Sequence, residues 1–176
     1  MAATNYPKLV YAQIWTLLLQ HSPFTTTYRE GNRIRFDGTA RDPMQESLGE
    51  GDLPQATLYP GAMQVGEFTT TPHYAHKITH DPTTANDWAE TWQLNFRLEL
   101  VHRTLEIGES TLQLMEVMTA LRKGGPKLGL AYVHRWGPLT LSAPAFGAKA
   151  EYGEDVWVHS INIPVELFIN GSSLVT

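Results

Sequence analysis

From Trp88 to Leu100 apolar and polar residues alternate along the chain. Trp88, Trp92, Leu94, Phe96, Leu98 and Leu100 hold even positions together with Glu90, while Thr91, Gln93, Asn95, Arg97 and Glu99 are all polar. A period of two predicts a long strand with one buried face. A second such run closes the chain, where Trp157, His159, Ile161, Ile163, Val165, Leu167 and Ile169 share a face. Pro164 lies inside it, and a proline has no N–H to give a ladder, which predicts an edge or a bulge there. Shorter strands are expected over Arg33–Phe36, Ala56–Tyr59, Leu130–Trp136 and Leu139–Ser142, with a turn at Gly137-Pro138 between the last two.

Two segments carry the helical period instead. In the first, from Tyr6 to His21, Val10, Ile14, Leu17, Leu18 and His21 fall on one face, widened by Tyr11 and Trp15. Thr4 or Asn5 suits its cap, Pro7 its first turn, and Ser22-Pro23 its end. In the second, from Glu109 to Lys123, the stripe is Leu114, Val117, Met118 and Leu121, flanked by Leu112 and Met115. Gly124-Gly125-Pro126 stops it, with Arg122 and Lys123 at the negative end of its dipole.

Long alternating strands imply a sheet wet on one face with helices on the other. The expected class is α+β, a mixed, mostly antiparallel sheet with two helices packed mainly on one face. One domain is expected over residues 1–176, with long projecting loops at about 38–53, 61–87 and 143–155. Loops of that length are usually functional or disordered.

Composition narrows the chemistry. The chain has 176 residues, enough to bury about 70 % of its unfolded surface in one core. It has no cysteine, which excludes disulfides, thiol catalysis and thiolate-bound metal. A net charge of −5 argues against nonspecific attraction to nucleic-acid phosphates or anionic membranes. Neither a cationic secretory start nor an apolar run of membrane-spanning length is visible.

The sharpest chemical feature is His73-x-x-His76-x-x-x-His80, followed by Asp81. Imidazole and carboxylate suit zinc, and such spacing on a helix aims two ligands at one ion. Pro72 and Pro82 bracket the stretch, however, so a loop is expected, where the spacing specifies nothing and solvated histidines are the simpler reading. His73, His76 and His80 remain the metal candidates. Gly124-Gly125-Pro126-Lys127 lacks the spacing of a phosphate loop, and no serine sits in a Gly-x-Ser-x-Gly elbow. Glu46, Glu50 and Asp52, and likewise Glu151, Glu154 and Asp155, read as solvated acidic loops. No catalytic residue or cofactor is assigned. Phe68, Tyr74, His76 and Trp136 are the candidate protein contacts, beside or within the long loops.

The order of elements is similar to that of a known family. An N-terminal amphipathic helix precedes the short strand Arg33-Ile34-Arg35-Phe36. An acidic loop leads to Gly51-Asp52-Leu53-Pro54-Gln55-Ala56-Thr57-Leu58-Tyr59-Pro60-Gly61, and a long strand, a helix and closing strands follow. Over about Tyr6 to Ile169 this resembles the tail terminator (tail completion) proteins of long-tailed bacteriophages. The resemblance implies a structural virion protein without covalent chemistry. It implies a homo-oligomeric ring, usually six-fold, that caps the tail tube and stops its polymerisation. The other face of the ring would receive a neck or head-completion protein, and DNA would pass through the lumen without sequence-specific binding. Such a protein is made in the host cytoplasm and ends in the virion. The alternatives are a head–tail neck (head completion) protein and a small metal-dependent enzyme using His73, His76 and His80.

Overall fold

Asn5 opens the first helix: its side chain accepts the Lys8 N–H at 3.0 Å, and Pro7 occupies the first turn. This helix, α1 (Tyr6–Leu19), buries Tyr6, Val10, Tyr11, Ile14, Leu17 and Leu18. The computed structural model describes residues 5–21, 24, 53–65, 89–103, 109–149 and 154–170. After α1 it contains β1 (Gln55–Val65), β2 (Ala89–His102), α2 (Glu109–Arg122), β3 (Val133–Trp136), β4 (Thr140–Leu141), β5 (Ala145–Lys149) and β6 (Glu154–Asn170).

The fold is α+β. All the described strands join one sheet of order β1-β2-β6-β3, in which β4 and β5 also pair with β6, and every described ladder is antiparallel. Since β2 occupies one side of β6 from Trp157 to Asn170, the strands β3, β4 and β5 follow one another along its other side. The alternation in β2 and β6 puts Leu94, Phe96, Leu98 and Leu100 on the same face as Ile161, Ile163, Val165, Leu167 and Ile169. That face forms a single buried cluster with Ala56 and Leu58 of β1, the inward face of α1, and Val117, Ala120 and Leu121 of α2. Each fully buried aliphatic side chain there contributes about 1.5–3 kcal/mol. A second, smaller cluster, Val101 and Val156 with Leu53 and Val158, lies on the opposite face at one end of the sheet.

The helices are tied together near their C-terminal parts. His21, just past α1, meets Glu116 of α2 side chain to side chain, and Lys123 Nζ donates to the Gln20 carbonyl at 3.0 Å.

Several expectations change. In α2 the inward positions are Gln113, Val117, Ala120 and Leu121, whereas Leu112 and Met115 are exposed. The helix is rotated so that Gln113 can meet His102. The expected strand from Leu130 begins only at Val133, because 123–132 is a chain of turns with Gly125, Leu128 and Gly129 at positive φ. That run sinks Leu128 fully into the core. Gly137-Pro138 separates β3 from β4 but reverses nothing, since both pair antiparallel with β6. Pro164 is in neither an edge strand nor a bulge of the β2–β6 ladder; it faces Asn95 in unbroken register. Its carbonyl accepts the Gly137 N–H at 2.8 Å, so its missing donor falls at the gap between β3 and β4. The expected loops at 61–87 and 143–155 are shortened, as β1 runs on to Val65 and β5 and β6 occupy 145–149 and 154–170. The segment 38–52, the strand at Arg33–Phe36 and the remainder of 61–87 lie outside the described residues.

Candidate functional site

The strands outreach the helices. At the usual rise, β2 with 14 residues and β6 with 17 span about 45 and 55 Å. The two helices, 14 residues each, span about 21 Å. The helix-side face of β6 is buried from His159 to Ile169, and among the described residues the end of β6 before Trp157 pairs only with β5. All of 142–147 is exposed there, and the Phe146 ring tilts against Trp157 at a centroid distance of 5.0 Å.

The two sheet edges differ in regularity. Along β6, Val133 faces Leu167 and Ala145 faces Val158, so this edge advances twelve residues (133 to 145) while β6 advances nine (167 to 158). The three extra residues enter at separate irregularities, between Val133 and Arg135, between β3 and β4, and between β4 and β5. Pro138 and Pro144 stand in the last two. Bulges and prolines of this kind keep an edge from pairing with foreign strands. Only β5 runs with unbroken register, from Ala145 facing Val158 to Lys149 facing Glu154.

The opposite edge is β1. It carries an extra residue at Gly61-Ala62, where Pro60 faces Phe96 and Met63 faces Leu94. The backbone of Asn95 presses on Gly61, leaving no room for a β-carbon. Beyond that bulge Met63 returns to the helix-covered face of the sheet, yet it is 54 % exposed.

The opposite face is polar along its middle and ordered in rows. Tyr59, Arg97, Asn162 and Thr140 stand side by side on four strands. The Arg97 guanidinium lies 5.0 Å from the Tyr59 ring centre, and Asn162 Nδ2 donates to Thr140 Oγ1 at 3.3 Å. Next along, Arg135 Nε donates to Glu166 at 2.9 Å. Positive and negative groups alternate here, so the face holds no large field of one sign.

Polar groups within the core are few and tied to structure. His102 and His159 are buried with their rings stacked at 5.7 Å, and Gln113 Nε2 lies 3.0 Å from His102 Nε2. With the amide as donor, that ring nitrogen is the acceptor. The Tyr11 hydroxyl donates to the Leu58 carbonyl, and burial, reinforced by Tyr59, pushes its pKa well above the ordinary phenol value. Burial and then Tyr6 also raise that of Tyr132, which packs edge-on against Tyr6 at 4.8 Å.

Of the residues singled out from sequence, His73, His76, His80, Phe68 and Tyr74 lie outside the described residues. Trp136 is half-buried against the core, and its indole N–H donates to the Gly125 carbonyl at 2.8 Å. Among the described residues no three His, Asp or Glu side chains gather as a metal site. No described helix is long and apolar enough to cross a membrane. Sequence reasoning missed Met63 and Phe146. Each lies in a stretch of Gly, Ala and Pro without alternation, and only the register with β2 or β6 reveals it as part of a strand.

No known family model matches the chain, and a search of curated proteins likewise finds no match.

Proposed function

We propose that this chain is a structural component of a bacteriophage tail: a ring-forming terminator that caps the tail tube, ends its polymerisation and presents a joining surface to the head or neck. The reading rests on the resemblance in element order. The observation that carries it furthest is the pair of exposed apolar side chains, Met63 and Phe146, at opposite edges of the described sheet. Both stay exposed on the helix-side face, and an assembly component uses such positions to grip its neighbours. A heterologous ring needs two different patches per subunit, and the β1 and β5 edges differ in both sequence and register.

The test is addition of the purified chain to polymerising tail-tube protein from the same phage, followed by electron microscopy. Shorter tubes with a ring of extra density at one end are expected. Tubes of unchanged length with bare ends overturn the reading.

A further inference from the structure

We infer that His102, His159 and Gln113 form an acid-sensitive joint, which holds α2 to the sheet while both rings are neutral and loosens when they take up protons. It belongs to the single subunit and does not depend on the ring.

The joint lies where β2, β6 and α2 meet. His159 faces Leu100 and His102 faces Trp157, so the two imidazoles stand diagonally on the helix-covered face of adjacent strands. Their rings stack at 5.7 Å with 12° between the planes, and they are 6 % and 1 % exposed. Gln113, buried in the second turn of α2, brings its Nε2 to 3.0 Å from His102 Nε2.

Each part of this arrangement resists charge. A ring so withdrawn from water loses the hydration that an added proton requires. Two charged rings at stacking distance also repel, so the folded pair does not hold two protons together. Protonation of His102 has a further consequence. A neutral ring nitrogen accepts from the Gln113 amide, whereas an imidazolium has only N–H donors to offer. The amide must then turn to present Oε1, an atom that is buried without a hydrogen-bond partner. One proton is thus accommodated by inverting the amide, and a second is not.

The direction with pH follows by linkage. Histidines in contact with water titrate near pH 6.5, so the opened joint takes two protons over a range in which the closed one takes at most one. The closed state is fully favoured above about pH 6.5 and loses ground as pH falls. Each withheld proton raises the opening equilibrium by up to about tenfold per pH unit.

The strand neighbours of the pair are uncharged: Leu100 and Trp157 within the β2–β6 ladder, and Ala56 of β1 opposite Leu100. On α2, Val117 is buried one turn beyond Gln113. The closest charged residues along these elements are Arg103 beside His102, Asp155 two places before Trp157, and Glu109 and Glu116 one turn either side of Gln113. Glu116 is engaged by His21.

The test is amide hydrogen exchange of the full-length chain at pH 7 and pH 5.5, corrected for intrinsic rates, beside a ring-nitrogen NMR titration of its histidines. In the wild type the opening equilibrium of α2 is expected to rise about tenfold over that interval. His102→Phe with His159→Phe keeps two flat rings and removes the protons, and its α2 is expected to show little of the rise. Glu109→Gln and Asp155→Asn are expected to keep it in full. The wild-type titration reads the same point without any variant, with at most one of the two rings becoming imidazolium while the chain stays folded. Two imidazolium rings in the folded chain overturn the joint. So does an equal rise in the double variant, or a rise abolished by either carboxylate substitution.

Discussion

The Tyr11 hydroxyl donates to the Leu58 carbonyl over 2.9 Å, inside the core, and so joins α1 to β1 across 47 positions of sequence. Both residues are almost wholly buried, and the bond is a direct polar link between the first helix and the edge strand. Tyr11→Phe keeps the ring and removes the donor. It is expected to destabilise the chain by about 1 kcal/mol, read from urea or thermal unfolding. An unchanged midpoint would show that the bond contributes nothing net.

The same phenol sets an alkaline limit. Its pKa is raised in the folded chain, while in the unfolded chain it sits near the ordinary value of about 10. Below about pH 10 both states keep the proton and the contribution is fully present. Above it only the unfolded chain ionises, so stability falls by up to about 1.4 kcal/mol per pH unit for this group until the folded pKa is reached. Unfolding titrations from pH 8 to 12 are expected to show a shallower alkaline decline for Tyr11→Phe than for the wild type. Parallel declines would assign the loss to other groups.

Gly124, two residues past the end of α2, packs closely against α1. A β-carbon there would lie 2.8 Å from Leu17 Cδ1 and 2.8 Å from the Leu128 backbone. The leucine methyl can swing aside but the backbone cannot, since Leu128 is itself fully buried at a φ of 53°. Gly124→Ala is expected to lose about 1–3 kcal/mol by overpacking. Stability equal to the wild type would mean that the turn shifts freely.

Trp136 joins structure and surface. Its indole N–H bond to Gly125 holds the turn after α2 against β3. Trp136→Phe is expected to destabilise the subunit by about 1 kcal/mol through the lost bond alone. A variant that keeps full stability but loses binding to a neighbour would make Trp136 a contact residue first.

What was legible in the sequence follows from how each element is held. The alternation in 88–100 and 157–169 is enforced by one buried face, so both long strands and their facing were readable, as were the two helices. The rotation of α2 was not, because Gln113 is drawn inward by a buried histidine on another element. β5 was not readable either: Ala145, Phe146 and Gly147 are exposed, so nothing in the subunit's core disciplines their pattern. Pro164 misled because the rule about proline assumes a continuous neighbour, and here the neighbour breaks beside it. The candidate contact surface is the least legible part, since it is defined by register across β1, β2, β6 and β5 rather than by any local motif.

The proposed function requires that the chain assemble into a ring rather than bind metal for catalysis. Native mass spectrometry over a concentration series, with and without added zinc and chelator, tests it most directly. A six-subunit species indifferent to chelator is the predicted result. A monomer that carries stoichiometric zinc at every concentration would contradict it, and would turn attention to His73, His76 and His80.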